Sequence, residues 1–155
     1  MELKTRVNAV HGTQDLTITR EFDLPVELLF KAYTEPEFVE QWMGTKVMKL
    51  DNQKHGSYAF ETTNAEGNVV FQASGAIHDL IPNKKITRTF EMENAPFGVQ
   101  LEIYEFESLT DATSKLHMHV IYESGALRDQ VLQLPFAQGR NWAHNRLEEI
   151  LIKQK

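Results

Sequence analysis

Leu16-Thr-Ile-Thr-Arg-Glu-Phe-Asp-Leu-Pro-Val-Glu-Leu-Leu-Phe-Lys-Ala-Tyr-Thr-Glu-Pro-Glu37, followed by Gln41-Trp42, is the stretch on which the fold turns. Leu16, Ile18, Arg20 and Phe22 alternate with Thr17, Thr19 and Glu21, the period of a half-buried strand. Asp23-Leu24-Pro25 then joins a cap-type residue to a proline, both helix-start signals. Val26, Leu29, Phe30 and Tyr33 fall at i, i+3, i+4 and i+7, which gives one face of a short helix an apolar stripe. Pro36 opens a second short helix with Phe38, Val39 and Trp42 on its buried side, and Gly44 ends it.

Downstream, Thr45 to Ser124 reads as strand and turn in alternation. The punctuation is Asn52 to Gly56, Asn64 to Asn68, Pro82-Asn83, Asn94 to Gly98 and Leu109 to Ser114. Turns this short imply antiparallel neighbours, because a parallel pair needs a crossover of a dozen residues. Taking the more apolar parity as inward selects Tyr58 and Phe60; Phe71, Ala73 and Ile77; Ile86, Arg88, Phe90 and Met92. It continues with Leu101 and Ile103, although Tyr104 and Phe106 stand on the opposite set, and ends with Leu116, Met118, Val120 and Tyr122. Gly75 inside a strand predicts a bulge or sharp bend.

The last thirty residues are helical in pattern. Leu127, Val131 and Leu134 form a first stripe; Pro135 predicts a break; Phe136, Gly139, Trp142, Ala143, Leu147, Ile150 and Leu151 carry the spacing on. Arg140, Asn141, Asn145 and Glu148 fall outside or at the edges of that stripe. The order is α+β: a curved antiparallel sheet of about seven strands, two short helices after the first, and one long C-terminal helix to cover the apolar face.

Bulk properties set limits on function. The 155 residues are expected to form one domain, with its core from about residue 16. Net charge is −6 and no Lys/Arg stripe stands out, which argues against a nucleic-acid partner. Without cysteine there is no disulfide, thiolate metal site or Cys nucleophile. Met1 to Leu16 has no apolar signal-peptide core, and no run approaches the ~20 apolar residues of a membrane span, so a cytoplasmic protein off the membrane is expected. G-x-S-x-G, H-E-x-x-H, P-loop and G-x-G-x-x-G motifs are missing, and no cofactor is called for.

The opening segment, together with Gly75-Ala-Ile-His-Asp-Leu-Ile-Pro82, Ile86-Thr-Arg-Thr-Phe90, Trp142 and Leu147-Glu-Glu-Ile-Leu151, resembles the START/Bet v 1-like helix-grip superfamily (SRPBCC). The closest branch is the one named after the C-terminal domain of the heat-shock-protein-90 ATPase activator. The resemblance covers nearly the whole chain from Leu16. It implies a helix-grip fold with a cavity between sheet and helix, in a superfamily where many members bind hydrophobic small molecules. Two features depart from the pattern: Trp42-Met43-Gly44 replaces a commoner double-Trp motif, and Pro135 interrupts the closing helix.

Such a cavity needs apolar walls and a few placed polar groups. Phe60, Phe71, Ile77, Phe90, Leu101, Met118 and Val120 would supply the walls from the sheet, with Phe136 and Trp142 from the helix and Trp42 at the mouth. The same residues could equally fill a solid core. Arg88 stays charged on an apolar strand face, so it needs a ligand anion, the rim, or an internal partner such as Asp79 or Glu102. His117 and His119 share one face but lack a third ligand and read as solvent-exposed. His78 and His144 read as structural, and Glu148-Glu149 as a solvated face. The leading expectation is a monomeric or homodimeric binder of an apolar or amphipathic small molecule. A cavity enzyme of cyclase or hydrolase type, favoured by a perturbed inward acid or histidine, is the first alternative. A co-chaperone-like interaction module, favoured by a large exposed apolar patch, is the second.

Overall fold

The computed structural model describes residues 3–93 and 95–155. Eight antiparallel strands form one open sheet. They are β1 (Arg6–Asn8), β2 (Asp15–Phe22), β3 (Lys46–Leu50), β4 (Ser57–Thr63), β5 (Val69–Ile81), β6 (Lys85–Met92), β7 (Val99–Ser108) and β8 (Ser114–Ile121). Their order across the sheet is β1-β2-β8-β7-β6-β5-β4-β3, so hairpins run in sequence from β3 to β8 and β2 closes the row against β8. The sequence accounts for seven of these. The eighth, β1, is three residues long, too short for its periodicity to register, and is held by pairing Arg6 to Thr19 and Asn8 to Thr17.

Between β2 and β3 lie α1 (Val26–Thr34) and α2 (Pro36–Met43). Pro25 takes the cap position of α1 without a side-chain bond; Asp23 does not cap, its backbone N–H instead donating to Glu148 Oε2 at 2.8 Å. Pro36 stands in the first turn of α2, where its missing N–H costs nothing, and Gly44 ends it at φ 65°. An aromatic knot ties the two helices to the sheet. Tyr33 meets Trp42 and Tyr104 at 5.2 Å each, Phe30 meets Phe106 at 5.1 Å, and Trp42 Nε1 donates to Ala32 O at 2.7 Å.

The C-terminal segment is divided as Pro135 predicts, into α3 (Gly125–Leu132) and α4 (Phe136–Leu151). Pro135 sits at φ −72°, ψ 63°, an inverse γ-turn in which Phe136 N donates to Leu134 O at 2.6 Å. Ser124 caps α3 by accepting from Leu127 N. None of the helices is long and apolar enough to cross a membrane among the described residues.

Two expectations about β5 to β7 change. Gly75 is needed for close approach rather than for a bulge: an added Cβ would collide with Thr89 O, and the register shift lies further on, between Ile77 and Asp79. In β7 the inner face belongs to Gln100, Glu102, Tyr104 and Phe106, all buried, while Leu101 and Ile103 look outward and are only half-buried. The two polar residues on the inner parity make it the less apolar of the two in sequence. Asn94, which opens the fourth expected turn, lies outside the described residues.

Candidate functional site

The concave face carries two apolar clusters. The larger runs through β2, β8, α1 and α4 and includes Leu16, Ile18, Leu116, Met118, Val120, Leu147 and Leu151, all at 2% exposure or less. The smaller holds Val39, Tyr58, Phe60 and Ile77, with Met43, Phe71 and Phe90 packed against it. It contains no residue of α4 among its members. The long helix therefore grips one half of the sheet, and the β4–β6 half is roofed by α2.

A buried ionic network stands between them. Arg88 Nε donates to Glu102 Oε1 at 3.0 Å, and Arg88 Nη2 donates to the Tyr104 hydroxyl at 2.8 Å. Tyr104 OH and Gln100 Nε2 donate to Glu102 at 2.8 and 2.7 Å. The guanidinium lies 4.7 Å from the ring centroid of Tyr58 and 4.9 Å from that of Tyr104. Register sets this up, since Arg88 pairs directly with Glu102 and side chains of paired residues share a face. Of the partners open to Arg88 on sequence, Glu102 is the one it takes; Asp79 lies 3.9 Å from Lys85 instead. Burial pushes the Tyr104 and Tyr58 hydroxyls well above the ordinary tyrosine range, so both stay protonated donors.

A second polar cluster lies under α4. Arg20 Nη1 donates to Asn145 Oδ1 at 2.7 Å, and Glu148 Oε1 stands 3.6 Å from Nη2. Asn141 Oδ1 accepts from the backbone N–H groups of Lys4 and Thr5 at 2.9 and 3.0 Å. His144 Nδ1 lies 2.8 Å from Thr5 Oγ1, and its ring meets Phe22 edge-on at 5.5 Å. Burial, with the charges of Arg140 and Arg20 beyond it, drives His144 down to about 3, so the ring is neutral. It is the inward perturbed histidine that an enzyme reading asks for, but at 1% exposure it is closed to a substrate and acts as a structural tie.

The helix face is turned from the one expected. Asn141, His144, Leu147 and Leu151 are buried, whereas Trp142 is 64% exposed with Arg146 stacked 6.0 Å over its ring. Trp142 is thus corrected from a cavity wall to the outer surface; the inner face at that turn is taken by amides that bind the N-terminal backbone. Leu101 is corrected likewise. Trp42, Phe60, Ile77, Met118 and Val120 are buried inward, and Phe71, Phe90 and Phe136 face inward while half-buried. His117 and His119 lie half-buried on the convex side, 2.9 Å from Glu107 and 2.6 Å from Asp15.

Glu102, Tyr104 and Tyr58 are not singled out by the sequence as a site, although the Tyr104-Phe106 parity is the available signal. Arg20 shares strand parity with Leu16, Ile18 and Phe22 and is the signal for the second cluster. Surface depressions of about 870 Å³ at the β1–β2 edge and about 570 Å³ beside β3–β4 have charged walls, and Phe90 and Phe136 line neither.

A family model described as "Activator of Hsp90 ATPase homolog 1-like protein" matches residues 23–151. An uncharacterized protein of Schizosaccharomyces pombe is 30% identical over 114 residues, covering 74% of this chain and 31% of its own length. The chain thus spans about a third of that curated relative. A Rhodobacter sphaeroides protein superposes with TM-score 0.84 at 20% identity over 96% of this chain and 99% of its own. A Mycobacterium smegmatis protein gives 0.81 at 23% identity over 95% and 96%, and one from Arthrobacter aurescens 0.83 at 16% over 96% and 91%. At such identities the likeness carries the helix-grip fold alone.

Proposed function

Since the chain belongs to the Activator of Hsp90 ATPase homolog 1-like family, whose fold commonly binds hydrophobic ligands or serves as a co-chaperone-like module, we propose that it binds an apolar or amphipathic small molecule. The binding place is the concave side of β5 and β6, the cleft left between the α2 roof and the part of the sheet that α4 grips. The observation that supports this reading is a difference in sealing along one face. Inward residues of β2 and β8 are closed off, but Phe71, Phe90 and Met92, on the same concave side, remain in partial contact with solvent. Apolar side chains left wet in a concave site with a satisfied polar floor are what a ligand tail covers. Phe60, Ile77, Met118 and Val120 support that floor from below, and Trp42 braces the α1–α2 side.

Covering about eight CH₂ groups yields roughly 6 kcal/mol at ~0.8 each before association costs, which places affinity on the order of micromolar. A fluorescent fatty-acid analogue titrated into the protein is expected to bind saturably, with Phe90→Ala weakening it about tenfold. Failure to saturate up to about millimolar probe would overturn the reading.

A second reading has its own observation. Trp142 and Arg146 form an exposed stacked pair on the outer side of α4, and Trp and Arg are the residues most enriched where protein interfaces concentrate their energy. Trp142→Ala should then abolish co-purification with a heat-shock-protein-90 chaperone while sparing the fatty-acid analogue; unchanged co-purification, or none by the native chain, removes this reading.

A further inference from the structure

We propose that Arg140 anchors the ligand and that the bound molecule therefore carries an anionic headgroup on its apolar tail; this rests on the cleft reading above. Phe136, Arg140, Ala143 and Leu147 recur at i, i+4, i+7 and i+11 along α4, and Leu147 at the foot of that stripe is fully buried against the sheet. Arg140 accordingly projects toward the concave side, half-buried, with its guanidinium 5.2 Å from the ring centroid of Phe136. Its positive charge reaches the interior, where it favours the ionised forms of Tyr33, Tyr104 and Tyr122 and disfavours protonated His144.

What distinguishes Arg140 is its lack of a counter-charge. Arg88 has Glu102, Arg20 has Glu148 and Arg128 has Asp129. Among the described residues no carboxylate lies within ion-pair distance of Arg140. A half-desolvated guanidinium with free donors, stacked on the half-buried ring of Phe136, is a receptor for a carboxylate or phosphate. The tail then runs from Arg140 over Phe136 toward Phe90 and Phe71. Arg88 cannot take the same part, because its Nε and Nη2 donors and its charge are already spent on Glu102 and Tyr104.

Decanoate, decyl phosphate and decanol, titrated calorimetrically into native protein and into Arg140→Met and Arg140→Lys, test this. Native protein is expected to prefer at least one acid over decanol by about tenfold or more. Arg140→Met should erase that preference with decanol affinity unchanged, which also reports an intact cleft, and Arg140→Lys should keep part of it. Which acid binds more tightly identifies the headgroup. Equal affinity for both acids and the alcohol in native protein, or a preference that survives Arg140→Met, would overturn the anchor while leaving the cleft standing. If native protein binds none of the three, the cleft reading falls and the anchor falls with it.

Discussion

Arg88 and Glu102 lie in a part of the sheet where water does not reach, with their side chains 8% and 2% exposed. Removing one partner strands the other, and an uncompensated buried charge typically costs about 3–5 kcal/mol. Arg88→Met should therefore lower the urea midpoint by an amount equivalent to about 3–5 kcal/mol, and adding Glu102→Leu should restore most of it. Were the single variant as stable as native, the network would not be the buried pair described. His144 gives a prediction in pH. The folded state keeps the ring neutral down to about 3, whereas the unfolded chain protonates near 6.5. Stability is thus level above pH 6.5 and falls as pH drops below it, by about 1.4 kcal/mol per unit for this group. His144→Asn, which can keep the Thr5 contact through its amide, should flatten that part of the profile relative to native; an unaltered slope would show that other groups set it. At this scale the sequence is half legible. Arg88 announces its need for a partner through strand parity, and Glu102 is among those it could take. His144 and Asn141 give no such notice, since a helix shows its inner face only when its rotation is known.

That rotation is the main loss at the level of elements. The apolar spacing of residues 136–151 admits two faces about a third of a turn apart, and Trp142 weights the wrong one. The correct face is more polar because Asn141 caps the backbone of residues 4 and 5, a tertiary demand that no local period encodes. Strand and turn positions are readable because Gly, Asn and Pro act locally, as at Gly44 and at Asn83 with φ 62°. Two glycines separate local from tertiary constraint. Gly139 sits inside α4 with open space where a methyl would go and no positive φ, so Gly139→Ala should stabilise by about 0.5–1 kcal/mol. Gly75→Ala would drive a methyl into Thr89 O and Tyr58, and should lower the melting temperature sharply. Thermal melts of the pair should move in opposite directions.

Across the whole molecule, the helix holds one half of the sheet more firmly than the other. Hydrogen exchange is expected to be fastest in β3 and β4, whose inner residues meet α2, and slowest in β2 and β8 beneath α4. Uniform protection along the sheet would contradict this. The sheet is also open, which leaves two flanks to guard. β3 does so with Lys46 and Lys49 and with a register shift between Val47 and Lys49. The other flank relies on the three residues of β1. Without them the outer edge of β2, which β1 covers at Thr17, Ile18 and Thr19, would lie bare along its whole length, a stretch rich in Leu, Ile, Thr and Phe open to any strand that came near. The short N-terminal strand is in that sense a guard against self-association: trimming the chain before Ala9 should yield a protein that still folds its sheet but clumps on concentration, edge to edge, through the row of amides that Arg6 to Asn8 now keep occupied.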